Sequence, residues 1–261
     1  MKKIKLLGTD NAKTSKGELL GYRTAILYMT PSRHDVNGVQ VNSCIKSNKA
    51  CEILCLAKSG HGMKPIVKQA RLNRSHLYYS NRDLFNMTLE KEIKNHIKYS
   101  EKNNLIPVVR LNGTTDLNFF DIYKKFPEIV FYEYTKNIEM ALSKDKPDNV
   151  HFTFSYSGTN FLDSIKALEN GINVAMVFER DFIKPKKIFN HDVISGDNHD
   201  LRFLDAKGKI ISLTYKSMMP KDATQQIPAL RKYSFLLNGE LLNNLEKKYN
   251  FLKSKKYKEV A

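Results

Sequence analysis

Three cysteines, Cys44, Cys51 and Cys55, lie close together near the amino terminus, and no other position of the 261-residue chain holds a cysteine. An odd number argues against a disulfide framework, whereas thiolates gathered on one short segment suit a soft metal or an iron–sulfur cluster. Cys51 and Cys55 are four residues apart, so a helix beginning after Asn48 would place both sulfurs on one face. We therefore predict a metal site on the cysteine loop, residues 44–55.

Four interpretations of these cysteines are open. The first is a [4Fe–4S] cluster held by Cys44, Cys51 and Cys55, whose fourth iron is left free for a ligand. The second is a structural zinc that takes His61 as its fourth ligand. The third is a reactive or redox-active thiol pair, and the fourth is a set of small buried hydrophobic side chains. We favour the cluster because Cys44 lies among polar residues, where a packing role explains little.

Further polar side chains follow short apolar runs that read as buried strands, each of which leads into a turn or helix. Ligands of βα folds bind at the carboxyl ends of the strands, so we expect these side chains to converge on one rim. Local turn and helix-capping roles are the alternative for each residue. We assign catalytic roles to Asp116, Lys136 and Glu179, and we place Asn112, Thr114, Ser155 and Ser157 on the same rim.

A second polar group, Asp197, His199 and Asp200, follows the apolar run that begins at residue 192. These side chains could bind a hard metal ion or take part in acid–base chemistry. A turn in which Asp200 pairs with Arg202 is the interpretation that we favour.

The elements that must position these residues change in character along the chain. Apolar residues recur every three or four positions between Pro65 and Tyr99, which predicts two helices broken near Ser80-Asn81. Strand and helix then alternate, with residues 24–29 as the first strand, and residues 192–205 and 210–215 form a hairpin. We predict an α/β fold: a partial (β/α) barrel of mainly parallel strands with a C-terminal hairpin and a basic helical tail. Residues 1–220 would form one barrel-like domain and residues 221–261 the tail.

The composition restricts the partners. With 41% hydrophobic and 27% charged residues, and no long apolar run, the chain should fold as a soluble cytoplasmic protein without a membrane span or signal peptide. Its net charge is +16, of which +10 lies in residues 1–75 and +5 in residues 221–261. A nucleic acid bound through these two basic regions is one explanation, since lysine and arginine on phosphates release counterions. Solubility alone is the other explanation, and the oligomeric state is not predicted.

Many short motifs between residues 11 and 215 resemble, in the same order, those of the gene-88-type protein family of bacteriophages. This resemblance implies a phage or mobile-element origin but no activity. The motifs are Val41-Asn42-Ser43-Cys44, Cys51, Cys55, Gly60-His61-Gly62, Ala70-Arg71, residues 110–116, Tyr134-Thr135-Lys136, residues 154–157, residues 173–178, Gly196-Asp197 and residues 200–205.

The layout also resembles, more loosely, radical S-adenosylmethionine enzymes. In those partial βα barrels, three cysteines on the loop after the first strand hold a [4Fe–4S] cluster that chelates S-adenosylmethionine. The resemblance implies this role for Cys44, Cys51 and Cys55, although the spacing here is C-x₆-C-x₃-C instead of C-x₃-C-x₂-C. It also implies cofactor-binding roles, toward S-adenosylmethionine, for the rim residues Asn112, Thr114, Ser155 and Ser157. The leading hypothesis is thus an iron–sulfur enzyme of a phage that acts on a nucleic acid or nucleotide. The alternative is a non-catalytic phage nucleic-acid-binding protein with a structural zinc.

Overall fold

The computed structural model describes residues 4–9, 12–53, 55–58, 60–215, 227–228 and 230–258. The chain divides into two compact units, one formed by Met1–Phe154 with His199–Asp205 and the other by Ser155–Asn198 with Ala206–Ala261. Each unit contains strands that pair mainly in parallel, so the predicted mixed α/β class is confirmed. The domain boundary predicted near residue 220 falls outside the described residues and stays a prediction.

The first unit is built on a sheet in the strand order β1-β2-β5-β6-β7. Strand β1 pairs with β2 in antiparallel orientation, and the other neighbours pair in parallel. A separate hairpin, β3 and β4, turns at Asn37 and Gly38, whose positive φ angles of 52° and 81° suit a type I′ turn. The strands are β1 (Leu7–Gly8), β2 (Tyr22–Leu27), β3 (Arg33–Val36), β4 (Val39–Asn42), β5 (Ile106–Arg110), β6 (Val130–Thr135) and β7 (Val150–Ser155).

Two long helices cover one face of this sheet, as the apolar periodicity predicts. They are separated at Asn81, whose side-chain oxygen accepts a hydrogen bond from the Leu84 amide and so caps the second helix. Phe85, Leu89 and Ile93 recur every four residues and are fully buried against the sheet. The helices are α1 (Ala12–Glu18), α2 (Lys49–Ile53), α3 (Pro65–Ser80), α4 (Arg82–Lys102), α5 (Phe120–Lys125) and α6 (Ile138–Ala141), with 3-10 turns at Leu56–Lys58 and Gly60–Met63.

The second unit has the strand order β8-β11-β10-β9, and β12 also pairs with β8. All of these pairs are parallel except β10 with β9. The elements are α7 (Phe161–Glu169), β8 (Asn173–Phe178), β9 (Lys187–Ile188), β10 (His191–Ser195), β11 (Ile210–Thr214), β12 (Leu236–Leu237) and α8 (Gly239–Lys258). A 3-10 turn at Arg202–Leu204 lies between β10 and β11 in sequence but belongs to the first unit.

Two predicted features of the architecture need correction. The C-terminal hairpin is wrong, because β10 and β11 pair in parallel, with Val193 opposite Ile210. A parallel pair needs a crossover of a dozen or more residues, and residues 196–209 supply one instead of a tight turn. The predicted barrel also needs correction. In each unit the two outermost described strands do not pair with each other, so the described strands form open sheets and not a closed barrel.

Candidate functional site

The cysteine segment connects the hairpin to α3 and is fixed mainly by its backbone. The amide of Cys44 donates to Asn42 Oδ1 at 2.9 Å, and the amide of Cys51 donates to Asn48 Oδ1 at 3.0 Å. Helix α2 ends at Ile53, so Cys55 lies beyond it. The prediction that Cys51 and Cys55 share a helix face is therefore wrong, since the backbone tightens into a 3-10 turn after Cys55.

A buried arginine holds the backbone that follows α2. The Arg71 guanidinium, which projects from α3, donates to the carbonyl oxygens of Ala57 at 3.1 Å and Gly62 at 2.9 Å. These bonds hold both 3-10 turns against α3 and use carbonyl groups that a continuous helix would bond internally.

The thiols of Cys44 and Cys55 lie in one electrostatic neighbourhood with Asp116 and Lys136. Burial raises the pKa of Cys44 to about 11, with a further increase from the Asp116 carboxylate and an opposing effect of Lys136. Burial also raises the pKa of Cys55, against the opposing charges of Lys58, Lys136 and Arg71. Both thiols are therefore protonated at neutral pH, which makes them poor nucleophiles.

The residues present do not form the predicted metal site. Within the described parts of the chain, no three His, Cys, Asp or Glu side chains are grouped so that they could hold a metal ion. The three-thiolate arrangement is thus not assembled, nor is the zinc arrangement with His61, whose side chain is exposed. Cluster and zinc ligands must be deprotonated, whereas burial favours the neutral form of Cys44 and Cys55. A bound metal stays a prediction.

The loop after β5 holds three of the predicted site residues. Asn112 braces the loop, because its Oδ1 accepts from Thr115 Oγ1 at 2.9 Å and from the Leu117 amide at 2.8 Å. Thr114 Oγ1 donates to the carbonyl oxygen of Met29 at 2.5 Å. Gly113 packs so closely on β2 that an added Cβ would lie 2.7 Å from the Leu27 carbonyl oxygen. These contacts support the local-role alternative for Asn112 and Thr114, and their cofactor roles stay predictions.

Asp116 and Lys136 do meet at the carboxyl ends of β5 and β6. Asp116 Oδ1 accepts from Thr135 Oγ1 at 2.7 Å, and Oδ2 accepts from the Lys136 amide at 2.8 Å. Burial raises the pKa of Asp116, although these hydrogen bonds oppose the change. The Cys44 thiol lies on the same side, 3.6 Å from the carbonyl oxygen of Thr114. The convergence predicted from the strand periodicity therefore holds for this part of the first unit.

Glu133 is a buried carboxyl group that the sequence interpretation overlooked. It accepts hydrogen bonds from the amides of Leu111 at 2.7 Å and Asn112 at 2.9 Å, and from Tyr123 Oη at 3.0 Å. Burial raises its pKa to about 7, although Arg110 and the hydrogen bonds oppose the increase. A glutamate inside a run of apolar strand residues was the signal that could have identified it.

The remaining predicted site residues belong to the second unit. The Ser155 carbonyl and the Ser157 amide are both bonded to the side chain of Asn160, at 3.0 and 2.8 Å. Glu179 forms a two-point ion pair with Arg231, with nitrogen–oxygen distances of 2.6 and 2.8 Å. Its carboxylate thus fixes the chain that leads into β12, and its catalytic role stays a prediction.

The predicted pairing of Asp200 with Arg202 needs correction. Asp200 Oδ2 accepts from Arg110 Nη1 at 3.0 Å, whereas Arg202 pairs with Asp205 at 3.3 Å. Residues three apart face each other in a 3-10 turn, and residues two apart do not. His199 Nδ1 lies 3.2 Å from Arg202 Nη2, while the Asp197 carboxylate accepts from the Thr214 amide at 3.1 Å in the second unit.

Exposed lysines lie at the start of α3 and in the segment that precedes it, and we call this set the α3 basic surface. The hairpin is attached to the end of this helix, where Asn37 Nδ2 donates to Ser80 Oγ at 3.0 Å, and Arg71 attaches the 3-10 turns nearer its start. Four exposed lysines form no ion pair with a described carboxylate. They are Lys49, Lys58, Lys64 and Lys68.

The parallel sheets and flanking helices define an α/β protein whose buried polar groups gather at the carboxyl ends of strands β5 and β6. The model of the gene product 88 family matches residues 5–227, which is most of the chain. The chain therefore belongs to the gene product 88 family, and the predicted bacteriophage family is confirmed.

No other comparison adds an identity. No curated protein matches the chain, and neither does any solved structure. The looser resemblance to radical S-adenosylmethionine enzymes has no support in these comparisons. Within the part of the chain that the structure describes, none of the helices combines the length and apolar character needed to cross a membrane.

Proposed function

We propose that this phage-family protein binds nucleic acid through the α3 basic surface. The observation that carries the proposal is the set of four exposed lysines, Lys49, Lys58, Lys64 and Lys68, that form no ion pair with a described carboxylate. Exposed unpaired lysines gain counterion-release free energy from each phosphate that they contact. A paired lysine would first have to separate from its carboxylate.

Two of the lysines have a spacing that suits a nucleic-acid backbone. Lys64 and Lys68 lie about one helical turn apart at the start of α3, which is about 6 Å along the helix axis. Phosphates along one strand of a duplex are spaced by about 3.4 Å, so these two lysines can reach different phosphates of one strand. The basic tail predicted at residues 221–261 could add contacts, and α8 contributes the exposed Lys247 and Lys248.

The test compares two variants that lose the same charge. The first replaces Lys49, Lys58, Lys64 and Lys68 by Gln, and the control replaces the exposed Lys124, Lys144, Lys166 and Lys207 by Gln. Binding of fluorescein-labelled single-stranded and duplex 30-mers is measured by anisotropy at several potassium chloride concentrations. For duplex DNA the slope of log K against log salt should fall by up to about 3.6 in the first variant, at about 0.9 per lost phosphate contact.

The control variant should retain nearly all of the wild-type slope. Equal weakening in both variants would show that only net charge matters. Absence of binding by the wild-type protein at low salt would contradict the proposal altogether.

An iron–sulfur enzyme with S-adenosylmethionine as cosubstrate is the second candidate. The observation in its favour is the shared neighbourhood of Cys44, Cys55, Asp116 and Lys136. The cysteines as they lie do not form the site, so a metal would have to draw Cys51 toward the other two sulfurs and displace their protons.

Metal analysis of protein purified without oxygen separates these candidates. Iron with visible absorbance that disappears in Cys51→Ala supports the cluster, and stoichiometric zinc supports the structural site with His61. The control is Cys51→Ser, which retains a small polar side chain but not a thiolate. Protein that contains neither metal contradicts both metal sites and leaves nucleic-acid binding as the proposal.

A further inference from the structure

The sheet of the first unit has a second face, opposite the long helices, that carries aromatic and charged side chains. Residues 199–205, which follow β10 in sequence, lie on this face. Leu201 packs on Val108 and Tyr132 and is almost fully buried. Phe203 makes an edge contact with Tyr22, with ring centroids 5.3 Å apart. We call residues 199–205 the cover segment.

The cover segment is held on the sheet by side chains. Its backbone hydrogen bonds to described residues are all internal, from Arg202, Leu204 and Asp205 to the carbonyl oxygens of Asp200, Leu201 and Arg202. Arg202 also binds the carbonyl oxygen of His199 and pairs with Asp205, so the segment is tied together from within. A segment with this bonding pattern can leave the sheet as one piece without breaking backbone hydrogen bonds to it.

One ion pair joins the cover segment to a cation beneath it. The Arg110 guanidinium is buried, and its Cζ lies 4.8 Å from the centroid of the Tyr134 ring. Its Nη1 donates to Asp200 Oδ2 at 3.0 Å. Its Nε has no hydrogen-bond partner among the residues that the structure describes. The hydroxyls of Thr24 and Tyr132 on the same face lie near each other without a well-formed hydrogen bond. A buried donor without a partner costs desolvation free energy. An additional acceptor, such as an oxygen of a bound anion, would therefore stabilise this group of residues.

We propose that Arg110, together with the hydroxyls of Tyr132 and Thr24, forms an oxyanion-binding site, and that Asp200 occupies this site while the cover segment is closed. A planar guanidinium binds carboxylate and phosphate oxygens in the same two-point geometry. Asp200 supplies such a carboxylate from within the chain. A ligand carrying a phosphate or carboxylate displaces Asp200, and the cover segment leaves the sheet with it.

The experiment removes the internal competitor. Asp200→Asn retains the size of the side chain and abolishes its charge, so inorganic phosphate should bind at least ten times more tightly than to the wild-type protein. The matched control is Glu18→Gln, which removes the carboxylate of the more exposed Arg23–Glu18 ion pair in the same unit and should leave phosphate affinity unchanged. Titration with acetate distinguishes a phosphate ligand from a carboxylate ligand. Tighter binding of phosphate than of acetate indicates a phosphate ligand, and tighter binding of acetate indicates a carboxylate ligand.

Two further measurements separate this site from a general change in charge. The double variant Arg110→Gln/Asp200→Asn should lose the gain in affinity. Trypsin cleavage after Arg202, whose side chain is buried while the cover segment is closed, should accelerate in Asp200→Asn while β5 and β6 remain intact. If Asp200→Asn does not fold, Leu201→Ala loosens the cover segment without changing charge and should raise phosphate affinity at least threefold. Equal phosphate affinity in the wild-type protein, the folded cover-segment variant and Glu18→Gln overturns the proposal.

Discussion

Glu133 is an ionisable side chain placed where the strand pattern indicates only packing. It lies on the helix-covered face of β6, and its carboxylate fixes the amides of Leu111 and Asn112, where β5 ends and the loop to Asp116 begins. Burial raises its pKa from 4.5 to about 7. The folded protein therefore binds a proton on the Glu133 carboxylate more tightly than the unfolded chain does. Its contribution to the free energy of unfolding is complete below pH 4.5 and is lost as the pH rises toward 7.

We expect Glu133→Gln to remove this dependence. The free energy of unfolding of the wild-type protein, minus that of Glu133→Gln, should decrease between pH 4.5 and 7 and then become constant. The difference isolates Glu133 from His34 and His96, whose pKa values are lowered by burial and which change stability in the opposite direction. Urea unfolding across this pH range measures it, with the exposed Glu128→Gln as control. A difference that does not vary with pH would contradict the prediction.

Sequence reasoning at the residue scale identified the Asp116–Lys136 region but not how its groups are used. The carboxyl ends of parallel strands meet at one edge, and that rule alone brought Asp116 and Lys136 together. It could not show that the side-chain amide of Asn112 forms hydrogen bonds with the backbone of Leu117, because a turn and a ligand site require the same residue types. Nor could it show the Arg110–Asp200 pair, whose members are separated by 90 residues.

At the scale of elements, local patterns predicted helices α3 and α4 and the strands β5 to β8. The cap at Asn81 and the spacing of Phe85, Leu89 and Ile93 are properties of neighbouring residues. The orientation of β11 was not predicted, because Lys207-Gly208 resembles a hairpin turn. Residues 196–209 instead form a crossover that contains the cover segment, and no pattern of neighbouring residues indicates it.

The final elements β12 and α8 are integral to the second unit. Leu236 and Leu237 are fully buried and pair with Val177 and Phe178 of β8, and Tyr249 of α8 packs on the Phe189 ring. Burial of each large apolar side chain contributes about 1.5–3 kcal/mol. Three such side chains therefore contribute an amount comparable to the net stability of many domains, which is about 5–15 kcal/mol.

We therefore expect a chain that ends at Tyr215 to lose the folded second unit. Limited proteolysis should cleave it within β8 to β11, at protease concentrations that leave the full chain intact. The control ends at Ser254, which retains β12 and Tyr249 and should resist cleavage. Equal resistance of both truncated chains would show that these elements are dispensable.

At the scale of the whole molecule, the net charge of +16 is distributed unevenly. Arg71 and Arg74 within the basic first 75 residues are not available to a partner, because both donate to backbone carbonyl oxygens within the fold. The exposed lysines of the α3 basic surface remain. The excess charge can be read from the sequence. The packing of α3 is needed to show that Arg71 and Arg74 stabilise the fold, whereas the exposed lysines can bind a polyanion.

The division of the chain has a consequence for its synthesis. Residues 155–198 belong to the second unit but are translated before residues 199–205, which complete the first. At about 5–20 residues per second, a ribosome needs roughly 3–10 seconds to extend the chain from residue 155 to residue 205. Throughout this interval Val108 and Tyr132 lack Leu201, and the nascent sheet has an apolar patch to which a chaperone can bind. The amino-terminal unit therefore cannot finish folding until much of its successor has left the ribosome.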